Sequence, residues 1–166
     1  MDTYKHTVQY YETDKMGITH HSNYIRWMEE ARVYLLKEAG WGFSKMEELG
    51  ISSPVVSLEC KFKFPSHFED EISIVTFIES ITGVKLRIKY VMVNAAEKVV
   101  CEGYSEHAFI KGGKPLHIER DLPGFYASME EHMAYTHPAQ VTPPKKKKKL
   151  LDDAPSDNII TGIEYR

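Results

Sequence analysis

In 166 residues there are two cysteines, Cys60 and Cys101, and neither belongs to a CxxC pair. Disulfide-dependent secreted domains are far richer in cysteine, so both thiols are expected to lie reduced and buried within strands of a cytoplasmic protein. A disulfide between paired strands is the less economical alternative. No apolar run approaches the ~18 residues a membrane helix needs. The opening Met1-Asp2-Thr3-Tyr4-Lys5-His6 lacks the apolar centre of an export signal, so the chain is expected to stay where it is made. A formal charge of −3 offers nucleic acid no overall positive field. Also missing are a GxSxG elbow, a GxxxxGK[ST] phosphate loop, a GxGxxG turn and an HExxH helix. A serine hydrolase, nucleotidase, dinucleotide enzyme or zincin would therefore lack its signature.

What is present is an ordinary globular composition, 42% apolar and 27% charged, in a length that suits one domain. Residues 4–11 read as a first strand. Tyr24, Trp27, Met28, Ala31, Tyr34, Leu35 and Ala39 then recur at helical spacing, with Ser22 or Asn23 as N-cap and Gly40 at the stop. Ile25, Val33 and Leu36 make this helix apolar on more than one face, as in a helix wrapped by other structure. A short helix is expected over 44–49.

After Pro54 the period drops to two. Strands are predicted over 55–64, 71–78, 84–92 and 98–110, joined by short turns, with Gly103 marking a bulge or a close backbone approach. A terminal helix spans 122–133, with Pro123 near its start. Short turns exclude parallel crossovers, so the class is α+β: an antiparallel sheet with one long central helix. Residues 1–134 form the expected domain. Residues 135–166, with Pro138, Pro143, Pro144 and Lys145 to Lys149, read as a solvated tail, mobile or left over from cloning. The lysine run as a nuclear address or an anionic-surface contact is the lesser alternative.

Chemistry concentrates before the long helix. Asp14 precedes Gly17, and the helix follows His20 and His21. A carboxylate facing a helix N-terminus can serve as general base or nucleophile, while the free N–H groups of the helix stabilise an oxyanion. Gly17 lets the backbone approach a substrate. From spacing alone, Asp14 capping a turn or the helix remains the simpler role. A metal held by His20 and His21 is not expected, because adjacent side chains diverge and no third ligand follows at a telling spacing. Trp27 and Met28 read as core or pocket lining, and Glu30 and Arg32 as helix surface or a subunit contact. Lys61, Lys63, Lys85, Arg87 and Lys89 share polar strand faces. They suit either phosphate contacts or plain solvation.

The order Tyr10-Tyr11-Glu12-Thr13-Asp14-x-x-Gly17-x-x-x-His21-x-x-Tyr24, followed by Trp27, Glu30 and Arg32, resembles the opening motif of hotdog-fold acyl-CoA thioesterases of the 4-hydroxybenzoyl-CoA type. The likeness runs over residues 4–125 and includes Lys63-Phe64-Pro65 and the Gly113-Lys114-Pro115 turn. It implies a hotdog fold and a homodimer or homotetramer with active sites at the subunit interface. It implies Asp14 as catalytic carboxylate and the His21 backbone N–H as oxyanion site. Tyr10 and the His21 side chain are implied helpers, as in the bacterial short-chain and acyl-carrier-linked branch. Gly17, Tyr24 and His20 would meet the acyl group, with His20 standing where the family often has an aromatic residue. Lys61, Lys63, Lys85 and Arg87 would then face the coenzyme A phosphates. No cofactor is implied, since coenzyme A is part of the substrate, and the partner is an acyl-CoA or an acyl-carrier protein. A non-catalytic acyl-CoA-binding module and an enoyl-CoA hydratase or dehydratase of the same fold are the alternatives.

Overall fold

The computed structural model describes residues 3–135. Apart from Tyr135, the expected tail lies outside the described residues. Strand β1 (Thr3–Thr7) leads through a single 3-10 turn (Tyr10–Glu12) to helix α1 (His21–Glu38) and short helix α2 (Phe43–Glu48). Then come β2 (Ile51–Ser52), β3 (Val55–Phe62), β4 (Glu71–Ile81), β5 (Leu86–Asn94) and β6 (Val99–His107). The small strands β7 (Ile110–Lys111) and β8 (Lys114–Pro115) precede α3 (Ile118–Asp121) and α4 (Pro123–Tyr135).

Five strands form an antiparallel sheet in the order β1-β4-β5-β6-β3. Alternation puts Ile72 and Ile74 of β4, Leu86, Ile88, Tyr90 and Met92 of β5 and Cys101 of β6 on one face. Against that face lies the apolar stripe of α1, comprising Tyr24, Trp27, Met28, Ala31 and Leu35. Burying such side chains contributes about 1.5–3 kcal/mol each, which makes the helix–sheet seam the main source of stability. Gly103 marks the closest approach: a Cβ there would collide with the terminal methyl of Met28. This is the hotdog arrangement.

Several local expectations are corrected. The first strand stops at Thr7, because Glu12 is drawn inward and turns residues 10–12 into a 3-10 segment. The N-cap of α1 is His20, whose Nδ1 accepts from Ser22 N, rather than Ser22 or Asn23. The last long strand ends at His107, and residues 110–111 join a separate three-stranded sheet. Ile25 and Val33 remain partly exposed, so within one chain the sheet covers only one side of α1. Edge strand β3 exposes Val55, Val56 and Phe62, so its expected single apolar face is not buried. Cys60 and Cys101 are free thiols with sulfurs 3.5 Å apart.

Candidate active site

Residues 13–19 form a tight turn between the 3-10 segment and α1. Asp14 N donates to Ile18 O at 2.9 Å, and Gly17 N donates to Asp14 O at 2.9 Å. The turn closes because Gly17 takes φ +74°, a left-handed conformation that favours glycine. Asp14 Oδ1 accepts from Met16 N at 2.7 Å, so the carboxylate does cap this turn. Its Oδ2 has no hydrogen-bond partner among the described residues. The half-buried carboxylate lines a cavity of about 410 Å³ with Met16, Ile18, His21, Tyr24, Phe62 and Lys63. Capping and facing the cavity are compatible roles for the two oxygens.

His21 is the first residue of α1, and its backbone N–H has no acceptor among the described residues. The positive end of the helix dipole therefore opens at the residue that lines the cavity with Asp14. Phe62, Phe64 and Pro65 supply apolar wall, and the Tyr24 ring packs on Phe62 at 5.3 Å between centroids.

Two buried polar anchors hold this geometry. Glu12 receives Trp27 Nε1–H at 2.8 Å and Gln9 N–H at 2.7 Å, and its Oε2 lies 2.9 Å from His6 Nε2. Burial alone would raise its pKa, but the hydrogen bonds from Gln9, His6 and Trp27 outweigh burial and hold it below the usual carboxylate value. The Glu12 carbonyl oxygen accepts from His20 N and from Asn23 Nδ2, both at 2.8 Å, tying the loop to the start of α1. On the other side Ser66, fully buried, takes Thr19 N–H on its carbonyl at 2.8 Å. Its hydroxyl meets Thr19 Oγ1 at 2.7 Å and Tyr24 OH at 2.9 Å. Burial pushes the Tyr24 phenol up, which keeps it neutral.

The structure thus brings Asp14, His21, Tyr24 and Lys63 to one cavity, with Gly17 shaping the loop beside it. Tyr10 stands 77% exposed, its ring edge-on to Phe68, and is not among the lining residues. The His20 ring caps the helix and stacks 4.1 Å from that of His21. Arg87 lies among Glu59, Glu79 and Glu106, and Lys85 pairs with Glu106 at 3.0 Å, away from the lining residues. Lys63 pairs only loosely with Glu102, at 3.7 Å, and Lys61 is exposed. Arg32 is a correction: at 5% exposure it is an interior residue rather than a surface one. Glu30 accepts from Tyr4 OH at 3.0 Å and faces His6 Nδ1 at 3.2 Å. Glu12, Asn23 and Ser66 carry no sequence mark of their importance beyond Glu12's place in the opening motif. Among the described residues, no group of three or more His, Cys, Asp or Glu side chains is arranged to hold a metal ion. No helix among them is long and apolar enough to cross a membrane.

Comparison with known proteins agrees with this architecture. The profile of the thioesterase-like superfamily matches residues 8–144. A Bacillus subtilis protein, YneP, named as a candidate acyl-CoA thioesterase, is 34% identical over 126 residues, 75% of this chain and 91% of its own. The acyl-CoA thioester hydrolase YbgC of Escherichia coli is 25% identical over 95 residues, covering 57% of this chain and 71% of its own. Among solved structures, the DHNA-CoA thioesterase of Staphylococcus aureus superposes with a TM-score of 0.76 at 27% identity, covering 84% of this chain and 95% of its own.

Proposed function

The chain belongs to the thioesterase-like superfamily, and from that membership we propose that it hydrolyses acyl-CoA thioesters to free acid and coenzyme A, using Asp14 and the start of α1. One observation carries the assignment of residues: the Asp14 carboxylate lines the same apolar-walled cavity as His21, and among the described residues one of its oxygens and the His21 N–H have no hydrogen-bond partner. A thioester carbonyl lying against the helix start would place its developing negative charge on that N–H and in the field of the helix dipole. Asp14 then supplies the attack in one of two ways. As nucleophile it bonds to the carbonyl carbon, expels the thiolate and leaves an anhydride for water to open. As base it takes a proton from water, whose hydroxide adds to the carbon, and the thiolate leaves as the acid forms. Tyr24, anchored by Ser66, walls the acyl side, and Lys63 at the cavity offers the coenzyme A phosphates a charge held only loosely by Glu102. The His21 ring, exposed at the helix start, assists either route.

A second copy of the chain completes the arrangement in this reading. Edge strand β3 exposes Val55, Val56, Leu58 and Phe62, and its outer side pairs with no strand among the described residues. An unprotected apolar edge is a template for strand pairing, and the same strand leads into the cavity wall at Phe62. The function is tested by thiol release from short, long and aromatic acyl-CoAs, with hydration of an enoyl-CoA measured in parallel. Turnover of one or more saturated thioesters is expected. Hydration without thiol release would move the chain to the hydratase class, and tight binding without either reaction would make it a binding module.

A further inference from the structure

Residues of α1 and β3 line a second cavity besides the one that Tyr24 and Phe62 line. Further along the same two elements lies this small cavity of about 90 Å³, with Met28, Leu58 and the carboxylate-bearing Glu29 at the solvent side among its walls and Arg32, Tyr90, Ser105 and His107 at its polar end. These four residues form one buried chain. Arg32 Nη1 donates to His107 Nδ1 at 3.0 Å, His107 Nε2 lies 2.7 Å from Ser105 Oγ, and Ser105 Oγ lies 2.8 Å from Tyr90 OH.

The proton positions follow from the donors. A guanidinium only donates, so His107 Nδ1 must accept. Burial first, then the Arg32 charge, hold the imidazole neutral, so its single proton sits on Nε2 and goes to Ser105. Ser105 and Tyr90 hold two hydroxyl protons but share one hydrogen bond, and with His107 donating to Ser105 neither hydroxyl has a further acceptor among the described residues. One O–H is therefore left over in the cavity wall. Arg32 adds a full positive charge whose nearest carboxylate, Glu29, is 3.8 Å away on an exposed side chain. The pocket presents surplus donors and an interior cation whose carboxylate partner is the solvated Glu29, with no buried counterion among the described residues. Such a site is matched by an oxyanion.

We propose that this pocket receives a carboxylate at the far end of the acyl group, so that the preferred substrates are thioesters of dicarboxylic acids. The inference rests on the thioesterase reading, since it is the acyl chain leaving the Asp14 cavity that reaches Arg32. Tyr24 and Arg32 are about 12 Å apart along the helix at 1.5 Å per residue. An extended chain with C–C bonds of about 1.5 Å advances about 1.3 Å per bond, so that span, less the reach of the hydrogen bonds at either end, suits an acyl chain of roughly eight to ten carbons.

The test compares suberoyl-CoA, which carries a free terminal carboxylate, with octanoyl-CoA of equal length. For the wild type the ratio of kcat/KM, suberoyl over octanoyl, is expected to be at least ~10, and Arg32→Met should lower it at least ~10-fold, the range of a charge-assisted hydrogen bond. Arg32→Gln, which keeps donors but no charge, replaces Arg32→Met if the latter does not fold. A second readout needs no turnover: free suberate should raise the Tm of the wild type and not of the variant, with octanoate as control. If the wild type cleaves no acyl-CoA, the thioesterase reading fails, and the suberate shift alone decides the pocket. An unchanged ratio in the variant, or a suberate shift that is absent or equal in both proteins, overturns the proposal.

Discussion

Lowering the pH from 7 to 5 should cost the fold about 2 kcal/mol through His107 alone. Burial and the neighbouring Arg32 charge push this imidazole down to about 3, against 6.5 for an unhindered histidine. A depressed pKa means that the folded state keeps the ring neutral while the unfolded chain takes up a proton. The stability is therefore whole above pH 6.5 and is lost as pH falls from there towards 3. One pKa unit is worth about 1.4 kcal/mol, and at pH 5 the unfolded state lies about 1.5 units into its protonation range, giving about 2 kcal/mol. Glu12, also held below its usual value, loses its contribution only as pH falls through the carboxylate range, which leaves this window to His107. His107→Gln is the control: its carbonyl can accept from Arg32 and its amide can donate to Ser105, but nothing titrates. Urea unfolding of both proteins at pH 7 and pH 5, at one protein concentration so that association weighs equally, measures the difference. Wild type should lose about 2 kcal/mol more than the variant between the two pH values. Equal losses would refute the buried neutral imidazole and the proton order built on it.

Two further outcomes follow from the anchors and the sheet edge. Glu12→Gln sets an amide N–H against one of the donors that now converge on the carboxylate, so it should cost ~1–3 kcal/mol in thermal or urea unfolding. Because Glu12 ties the Asp14 loop to α1, kcat should fall more than KM changes; a lowered Tm with unchanged kcat would reduce Glu12 to a purely structural role. Val56→Lys on the exposed edge strand should shift the mass measured by light scattering towards the monomer and weaken turnover with it. A wild-type chain that is already monomeric at micromolar concentration would remove the paired-edge arrangement.

The long helix, the four later strands and the terminal helix were legible because their apolar residues repeat at the periods of the elements they form. The boundaries that failed did so where a tertiary contact outweighed local pattern. Tyr10 and Tyr11 favour a strand, yet the burial of Glu12 beneath Trp27 and His6 bends them into a 3-10 turn. His20 takes the cap because its carbonyl and ring both face the first turn, a choice that residue preference for Ser and Asn does not reveal. In sequence Gly103 is compatible with a bulge or a close approach, and the space it leaves for Met28 selects the second. The site divides in the same way. Asp14, Gly17 and His21 lie close in sequence and could be read there. Ser66 and the Arg32–His107–Ser105–Tyr90 chain are assembled across three or more elements. Arg32 in particular reads as surface because a charged residue on a helix usually is, and only the pairing of β5 with β6 brings its acceptor beneath it.

The central claim is that the Asp14 carboxylate performs the hydrolysis in the cavity it shares with the start of α1. Asp14→Asn keeps the oxygen that accepts from Met16 N and therefore the turn, while removing the charge. Steady-state thiol release from the best acyl-CoA should fall in kcat by ~10²–10⁴-fold, the range for a positioned acid–base group, with circular dichroism and Tm unchanged. A folded Asp14→Asn protein that releases thiol at close to the wild-type rate would contradict the account.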